Sequence, residues 1–244
     1  MTTETEFEIF SIEGNIGSGK STLFEYMKDR YCNPNIVFLE EPVSEWEKIK
    51  NKQGEPMLQL FYRDPKKYSF SFQMMAFISR LAILKKTIES NKGKKIIIIT
   101  ERSLYTDKHV FARMLYDKNN MEDVEHQIYL NWFDTFVNEY PVNNVIYIKT
   151  SPKKCHERIN KRARVGEEVI PLQYLEECHV YHENFLDKTV GIKANQLLLN
   201  GNVDIFQKTD VVFNFKYNLS LERNVVLEGW FNQIDEFISP DELL

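Results

Sequence analysis

The sequence predicts an α/β fold, a doubly wound parallel sheet with helices on both faces. Three observations lead there. Short apolar runs rich in β-branched residues alternate with longer helical patterns along the 244 residues. The run Phe7-Glu8-Ile9-Phe10-Ser11-Ile12-Glu13 leads directly into Gly14-Asn15-Ile16-Gly17-Ser18-Gly19-Lys20-Ser21-Thr22. That second stretch has the spacing Gly, four residues, Gly, Lys, Ser or Thr. A helical segment from Ser21 to Arg30 follows at once. Strand, glycine-rich loop and helix in this order bring backbone N–H groups and a helix N-terminus around the phosphates of a nucleotide. Lys20 then neutralises the outer phosphates and the Ser21 hydroxyl holds magnesium.

The remaining elements follow in order. Ile36–Leu39 reads as the second strand. Pro65 opens a long helix to about Ser90, with Gly93 beyond its end. Lys95–Thr100 is the third strand, and helices are expected at Tyr105–Asp117 and Met121–Glu139. Val145–Lys149 is the fourth strand. Ser151 caps, and Pro152 opens, a helix to about Arg162. Pro171 opens another to about Lys188, and Gln196–Leu199 completes five strands. Val211-Val212-Phe213-Asn214-Phe215 alternates weakly like a strand, and a last helix is expected from about Glu222 to Ile238. Neither a repeat nor a low-complexity linker interrupts the chain, so residues 1–244 are expected to form one domain.

Bulk composition narrows the partners. Hydrophobic content of 43% and charged content of 27% are those of a water-soluble globular chain. A net charge of −5 disfavours duplex nucleic acid as a main partner. Cys32, Cys155 and Cys178 are too few and too far apart for a disulfide framework. The acidic N-terminus lacks the features of a targeting segment, and Ile96–Ile99 is too short to span a bilayer. A cytoplasmic enzyme without a membrane partner is the expectation.

In doubly wound sheets ligands bind beyond the carboxyl ends of the strands. Glu40-Glu41-Pro42-Val43 follows the second strand. Adjacent strand residues point to opposite faces, so one of the two carboxylates is expected in the cleft. Thr100-Glu101-Arg102-Ser103 follows the third strand and sets an acid and an arginine beside the phosphate loop. Arg158 and Arg162 share one helix face after the fourth strand, with Arg164 beyond them. Phosphoryl transfer needs these parts: a metal site, cations on the migrating group and a carboxylate for the acceptor. On the long helix, Gln73 and Arg80 interrupt the apolar stripe of Ser69, Phe72, Ala76, Ile83 and Leu84. A buried Gln amide offers a donor and an acceptor side by side, matching a nucleobase edge.

The ordered set Gly14–Thr22, Glu41-Pro42-Val43, Tyr68-Ser69-Phe70-Ser71-Phe72-Gln73, Glu101-Arg102-Ser103 and Arg162-Ala163-Arg164 resembles the deoxynucleoside kinase family. That family includes deoxycytidine, deoxyguanosine and mitochondrial thymidine kinases and the insect multisubstrate enzyme. The resemblance runs from about Phe7 to Phe206. It implies a phosphate-loop kinase fold with a short lid at about 162–170 and a C-terminal extension at about 207–244. It implies transfer of the γ-phosphoryl of ATP, or another triphosphate, to a deoxynucleoside 5′-hydroxyl in nucleotide salvage, with Mg2+, in a homodimer.

Residue by residue, the resemblance makes Glu41 the general base and Arg102 the arginine beside it. Ser21 and Glu101 become the magnesium positions. Lys20, Arg158, Arg162 and Arg164 become the phosphate-side cations, and Asp204 falls where relatives contact the donor adenine. Gln73 would read the base, and Tyr62 with Glu167 (or Glu168) would bind the sugar 3′-hydroxyl. Val43, Trp46, Leu58, Phe72, Ala76 and Phe111 would line the nucleoside pocket, with Phe72 and Phe111 stacking on the base. Arg80 and Asp107 form the charged pair of deoxycytidine- and deoxyguanosine-type relatives. They imply deoxycytidine or purine deoxynucleosides over thymidine. Two rival readings share the loop: a nucleoside monophosphate kinase, and a nucleotide-binding relative without turnover.

Overall fold

Strands β1 (Glu6–Glu13), β2 (Ile36–Leu39), β3 (Lys95–Glu101), β4 (Asn144–Lys149) and β5 (Asn195–Asn200) form one parallel sheet in the order β2-β3-β1-β4-β5. The structure is a computed structural model describing residues 5–163, 167, 170–187, 191–203, 210–214, 219–223 and 225–238. Its helices are α1 (Lys20–Arg30), α2 (Val43–Trp46), α3 (Met57–Arg63), α4 (Pro65–Ser90), α5 (Leu104–Thr106), α6 (Arg113–Asp117), α7 (Asp123–Phe136), α8 (Pro152–Arg162), α9 (Leu172–Leu186) and α10 (Val225–Ile238). A π-helical segment, Asp107–Ala112, joins α5 to α6, and a 3₁₀ turn at Val137–Glu139 follows α7.

The run Lys95–Glu101 shows why the sheet is covered on both faces. Ile96 and Ile98 enter one core with Ile9, Val145 and Tyr147, against Phe77 and Leu81 of α4 and Tyr129 and Phe133 of α7. Ile97 and Ile99 enter the other core with Phe10, Ile12, Ile146 and Ile148, against Leu23, Phe24 and Met27 of α1 and Trp230 and Ile234 of α10. Alternation within an unbroken apolar run thus feeds two layers. The chain passes from β3 across β1 to β4, so the order reverses at β1 and the crevice opens where β1 and β3 end.

Several expectations need correction. The helix expected at Tyr105–Asp117 is broken by the π-helical segment, whose i→i+5 bonding has no signature in apolar spacing. The last helix begins at Val225 rather than Glu222, because Leu219–Arg223 forms a strand, β7, antiparallel to β6 (Asp210–Asn214). Ser151 gives α8 no side-chain cap; its backbone N–H instead donates to Asn202 Oδ1 at 2.9 Å. Helices α2 and α3 fall in a stretch left unassigned by the sequence reading. Among the described residues no helix is long and apolar enough to cross a membrane.

Candidate active site

The loop from Gly14 to Thr22 joins β1 to α1 and is shaped by its glycines. Gly17 has φ 76°, and a Cβ there would lie 2.6 Å from the Cys155 carbonyl oxygen; one on Gly14 would lie 2.8 Å from that of Ile148. Both are backbone atoms that cannot give way, so these positions admit only glycine. Gly14, Asn15 and Ser18 are buried and do not line the cavity wall. Asn15 ties the loop to α9 by donating from Nδ2 to the Leu175 carbonyl at 2.8 Å.

Lys20 is buried with its Nζ donating to the Asn15 carbonyl at 2.8 Å. Burial first, and the Arg102 charge second, lower its pKa to about 7. Ser21 Oγ donates to Glu101 Oε1 at 2.7 Å, so the two candidate magnesium positions meet at the loop's edge. Among the described residues no cluster of three or more His, Cys, Asp and Glu side chains could hold a metal alone. One hydroxyl and one carboxylate suit an ion that takes its remaining ligands from phosphates and water. The residues therefore fit a magnesium-bound polyphosphate.

Glu41, just after β2, is drawn toward two buried arginines. Arg80 of α4 donates from Nη2 to Glu41 Oε1 at 2.5 Å and from Nη1 to the Glu101 carbonyl at 2.9 Å. Arg102 Nε lies 3.5 Å from the same carboxylate, and its Nη1 donates to the Gly14 carbonyl at 2.8 Å. Burial alone would raise the Glu41 pKa, but Arg80, Arg102 and Lys20 outweigh it and hold the carboxyl down at about 2. Its neighbour Glu40 pairs with Lys28 on the surface, so the two adjacent carboxylates do divide between different surroundings.

Arg80 also reaches Asp107, with Nε 3.1 Å from Oδ2, an ion pair not aligned as a hydrogen bond. Burial raises Asp107 to about 6 against the lowering effect of Arg80. The charged pair expected from the sequence is therefore present, and Arg80 in addition grips Glu41, a contact the sequence reading missed. The two groups are 39 residues apart, and nothing local signals it.

These groups border a cavity of about 850 Å³ that runs from the phosphate loop to α3 and α4. Val43, Trp46, Leu58, Phe72 and Ala76 supply its apolar wall, and Tyr62, Gln73, Phe111 and Glu167 join them. Gln73 is buried, and its Oε1 has no hydrogen-bond partner among the described residues. Phe111 lies under the Arg102 guanidinium, 4.9 Å from ring centre to Cζ. Phe72 stacks on Phe61 at 4.6 Å between centroids. Phe61 and Tyr174 belong to the lining and were missed; Phe61 was legible as the i+4 partner of Met57 on a short apolar helix.

On the phosphate side Arg158 donates to the carbonyls of Ser18 (2.9 Å) and Val203 (2.7 Å). Arg162 pairs with Glu167, and Lys154 and Lys161 extend the cationic face of α8. The spacing 154, 158, 161, 162 could have been read as one stripe. Arg164, Glu168 and Asp204 lie outside the described residues.

A glycine-built phosphate cradle at a sheet's switch point, facing an ionised carboxylate across one cleft, defines a phosphotransferase that draws on a nucleoside polyphosphate. Residues 10–229 match the family model for deoxynucleoside kinase, and the chain belongs to that family of enzymes. It is 35% identical over 202 residues to deoxycytidine kinase of Bos taurus, covering 75% of this chain and 76% of the relative. It is 33% identical to the mitochondrial deoxyguanosine kinase of Xenopus laevis, covering 76% and 75%. Deoxycytidine kinase 2 of Gallus gallus is 33% identical, with 77% of each chain covered.

Proposed function

We propose that this chain, as one phosphate-loop domain, moves the γ-phosphoryl of ATP, or another nucleoside triphosphate, to the 5′-hydroxyl of deoxycytidine or a purine deoxynucleoside in preference to thymidine. One observation carries the reading: Glu41 is an ionised carboxylate held by two arginines on the acceptor side of a phosphate loop. A 5′-hydroxyl is a very weak acid, and a carboxylate that takes its proton as the new bond forms lowers the barrier. Arg102 orients Glu41, and Lys20, Arg158 and Arg162 balance charge on the phosphates. Ser21 and Glu101 would hold Mg2+, which supplies neutralisation of the β- and γ-oxygens when bound. Tyr62 and Glu167 take the sugar.

The base preference rests on Gln73 and Asp107. Gln73 Oε1 and Asp107 Oδ2 are buried acceptors without an aligned donor among the described residues. An exocyclic amine, as on cytosine, adenine or guanine, supplies a donor with two hydrogens; thymine has no such amine and offers only its ring N3–H. The Gln73 amide can flip to suit any base, whereas a carboxylate accepts only.

A monophosphate kinase would need free cations on the acceptor side, but Arg80 and Arg102 are engaged there by carboxylates. A product assay with ATP and Mg2+ decides. Deoxycytidine should be converted to its monophosphate, and deoxycytidine monophosphate should go no further. Phosphorylation of the monophosphate alone would favour the rival, and binding of ATP without turnover on any nucleoside would favour a silent relative.

A homodimer is part of the same proposal. Val124, Ile128 and Trp132, spaced by four along α7, and Ile78 of α4 expose apolar surface of the kind a second copy covers. Sedimentation should give twice the chain mass. Three unpaired cysteines support a reducing compartment such as the cytoplasm.

A further inference from the structure

Glu13 closes β1 immediately before the phosphate loop and is fully buried, yet it does not line the cavity. A buried carboxylate is retained at a cost unless its bonds do something. Its Oε1 accepts from Ser11 Oγ (2.6 Å), from the Ser103 N–H (3.0 Å) and from Ser103 Oγ (2.7 Å). Ser103 follows Arg102, whose φ of 66° is a left-handed conformation that a residue with a side chain rarely adopts. Such a conformation persists where the surroundings over-determine it, and it clusters at functional sites.

The restraints come from three consecutive residues. The Arg102 N–H donates to the Ile12 carbonyl at 3.1 Å. Arg102 Nη1 donates to the Gly14 carbonyl at 2.8 Å. Between them, Glu13 fixes Ser103. The segment Ile12-Glu13-Gly14 thus grips the turn that carries Glu101 toward Ser21 and Arg102 toward Glu41.

We infer that Glu13 is a positioning residue for phosphoryl transfer: by holding Ser103 it locks the Glu101-Arg102-Ser103 turn to the start of the phosphate loop. This rests on the roles proposed above for Glu41, Glu101 and Arg102. The contribution is geometric, since a misplacement of about 1 Å at such a site can lower turnover about a hundredfold. The two bonds that Glu13 Oε1 accepts from Ser103, rather than the carboxylate charge, supply the hold, and the Ser11 hydroxyl orients that oxygen.

Glu13→Ala and Glu13→Asp, the latter one methylene too short, should lower kcat about ten- to a hundredfold. The deoxycytidine KM should stay within about threefold, because neither variant touches the nucleoside pocket. Amide exchange over residues 101–104 should quicken in both. Glu13→Gln keeps the Oε1 acceptor and should restore kcat to within about threefold, and slow exchange with it. Should the alanine variant not fold, the Asp and Gln variants decide alone.

The inference is overturned if Glu13→Asp turns over like wild type. It is overturned equally if Glu13→Gln loses as much as Glu13→Asp, or if kcat falls with exchange over 101–104 unchanged. Glu41→Gln separates this from the wider reading. If Glu41→Gln keeps full turnover, the site reading falls and this inference with it; if Glu41→Gln fails and Glu13→Asp does not, only this inference falls.

Discussion

The two halves of the cleft, to which we assign the phosphate donor and the acceptor, are built by different means. The donor half is backbone: nine contiguous residues, Gly14 to Thr22, whose path is set by glycines that leave no room for a Cβ. The acceptor half is side chains drawn from separate segments: Glu41 after β2, Gln73 and Arg80 on α4, Arg102 after β3, Asp107 and Phe111 on the π-helical segment. A backbone cradle reads polyphosphate and is blind to most side chains. A side-chain pocket can be retuned one residue at a time. Arg80 is where the acceptor half concentrates its charge, since one guanidinium meets Glu41, Asp107 and the Glu101 carbonyl.

The largest effect should come where the halves meet. Glu41→Gln keeps the side chain's size and one acceptor oxygen for Arg80, and should lower kcat about 10²- to 10⁴-fold, with deoxynucleoside affinity near wild type by titration calorimetry. Near-wild-type turnover would remove Glu41 from the chemistry. Next is a change confined to the donor half. Gly17→Ala forces a Cβ against the Cys155 carbonyl at positive φ. Strain of about 1–3 kcal/mol predicts an ATP KM raised about ten- to a hundredfold, with deoxynucleoside affinity unchanged. If both fall together in steady-state kinetics, the halves are not separable as described.

A smaller effect, confined to the acceptor half, is expected with pH. Burial raises the Asp107 carboxyl to about 6, so its protonated fraction grows as pH falls through 6. Protonated Asp107 is a poorer partner for Arg80 and a poorer acceptor for a base amine. The kcat/KM for deoxycytidine should therefore drop below about pH 6. Glu41, held at about 2, stays ionised throughout that window and contributes nothing to the drop. Asp107→Asn should flatten this acid limb and cost about three- to tenfold at neutral pH. An unchanged acid limb in that variant would assign it elsewhere.

The same contrast explains what the sequence made legible. The donor loop could be read outright because its chemistry is local and contiguous. The strands were legible as apolar runs, and the start of α4 was legible at Pro65; the structure adds the Asp64 cap, whose side chain accepts from the Lys67 N–H. In the acceptor pocket, Glu41, Arg102, Gln73 and Arg80 stood out at strand ends and in a broken apolar stripe, but their roles and the rest of the lining came through an ordered family likeness, because its members meet through the fold. The Arg80–Glu41 contact and the grip of Glu13 on Ser103, 90 residues apart, had no local trace. The π-helical segment that brings Asp107 and Phe111 to the cavity was hidden as well. Strand β7 alternates as Leu219-Ser220-Leu221-Glu222-Arg223, yet it is short enough to have passed for the start of α10.

The most direct measurement is a competition among deoxycytidine, deoxyadenosine, deoxyguanosine and thymidine at equal concentration, with ATP and Mg2+. The buried carboxylate of Asp107, paired with Arg80, predicts that at least one amino-bearing deoxynucleoside has a kcat/KM well above that of thymidine. A thymidine kcat/KM equal to or above all three of the others would contradict it.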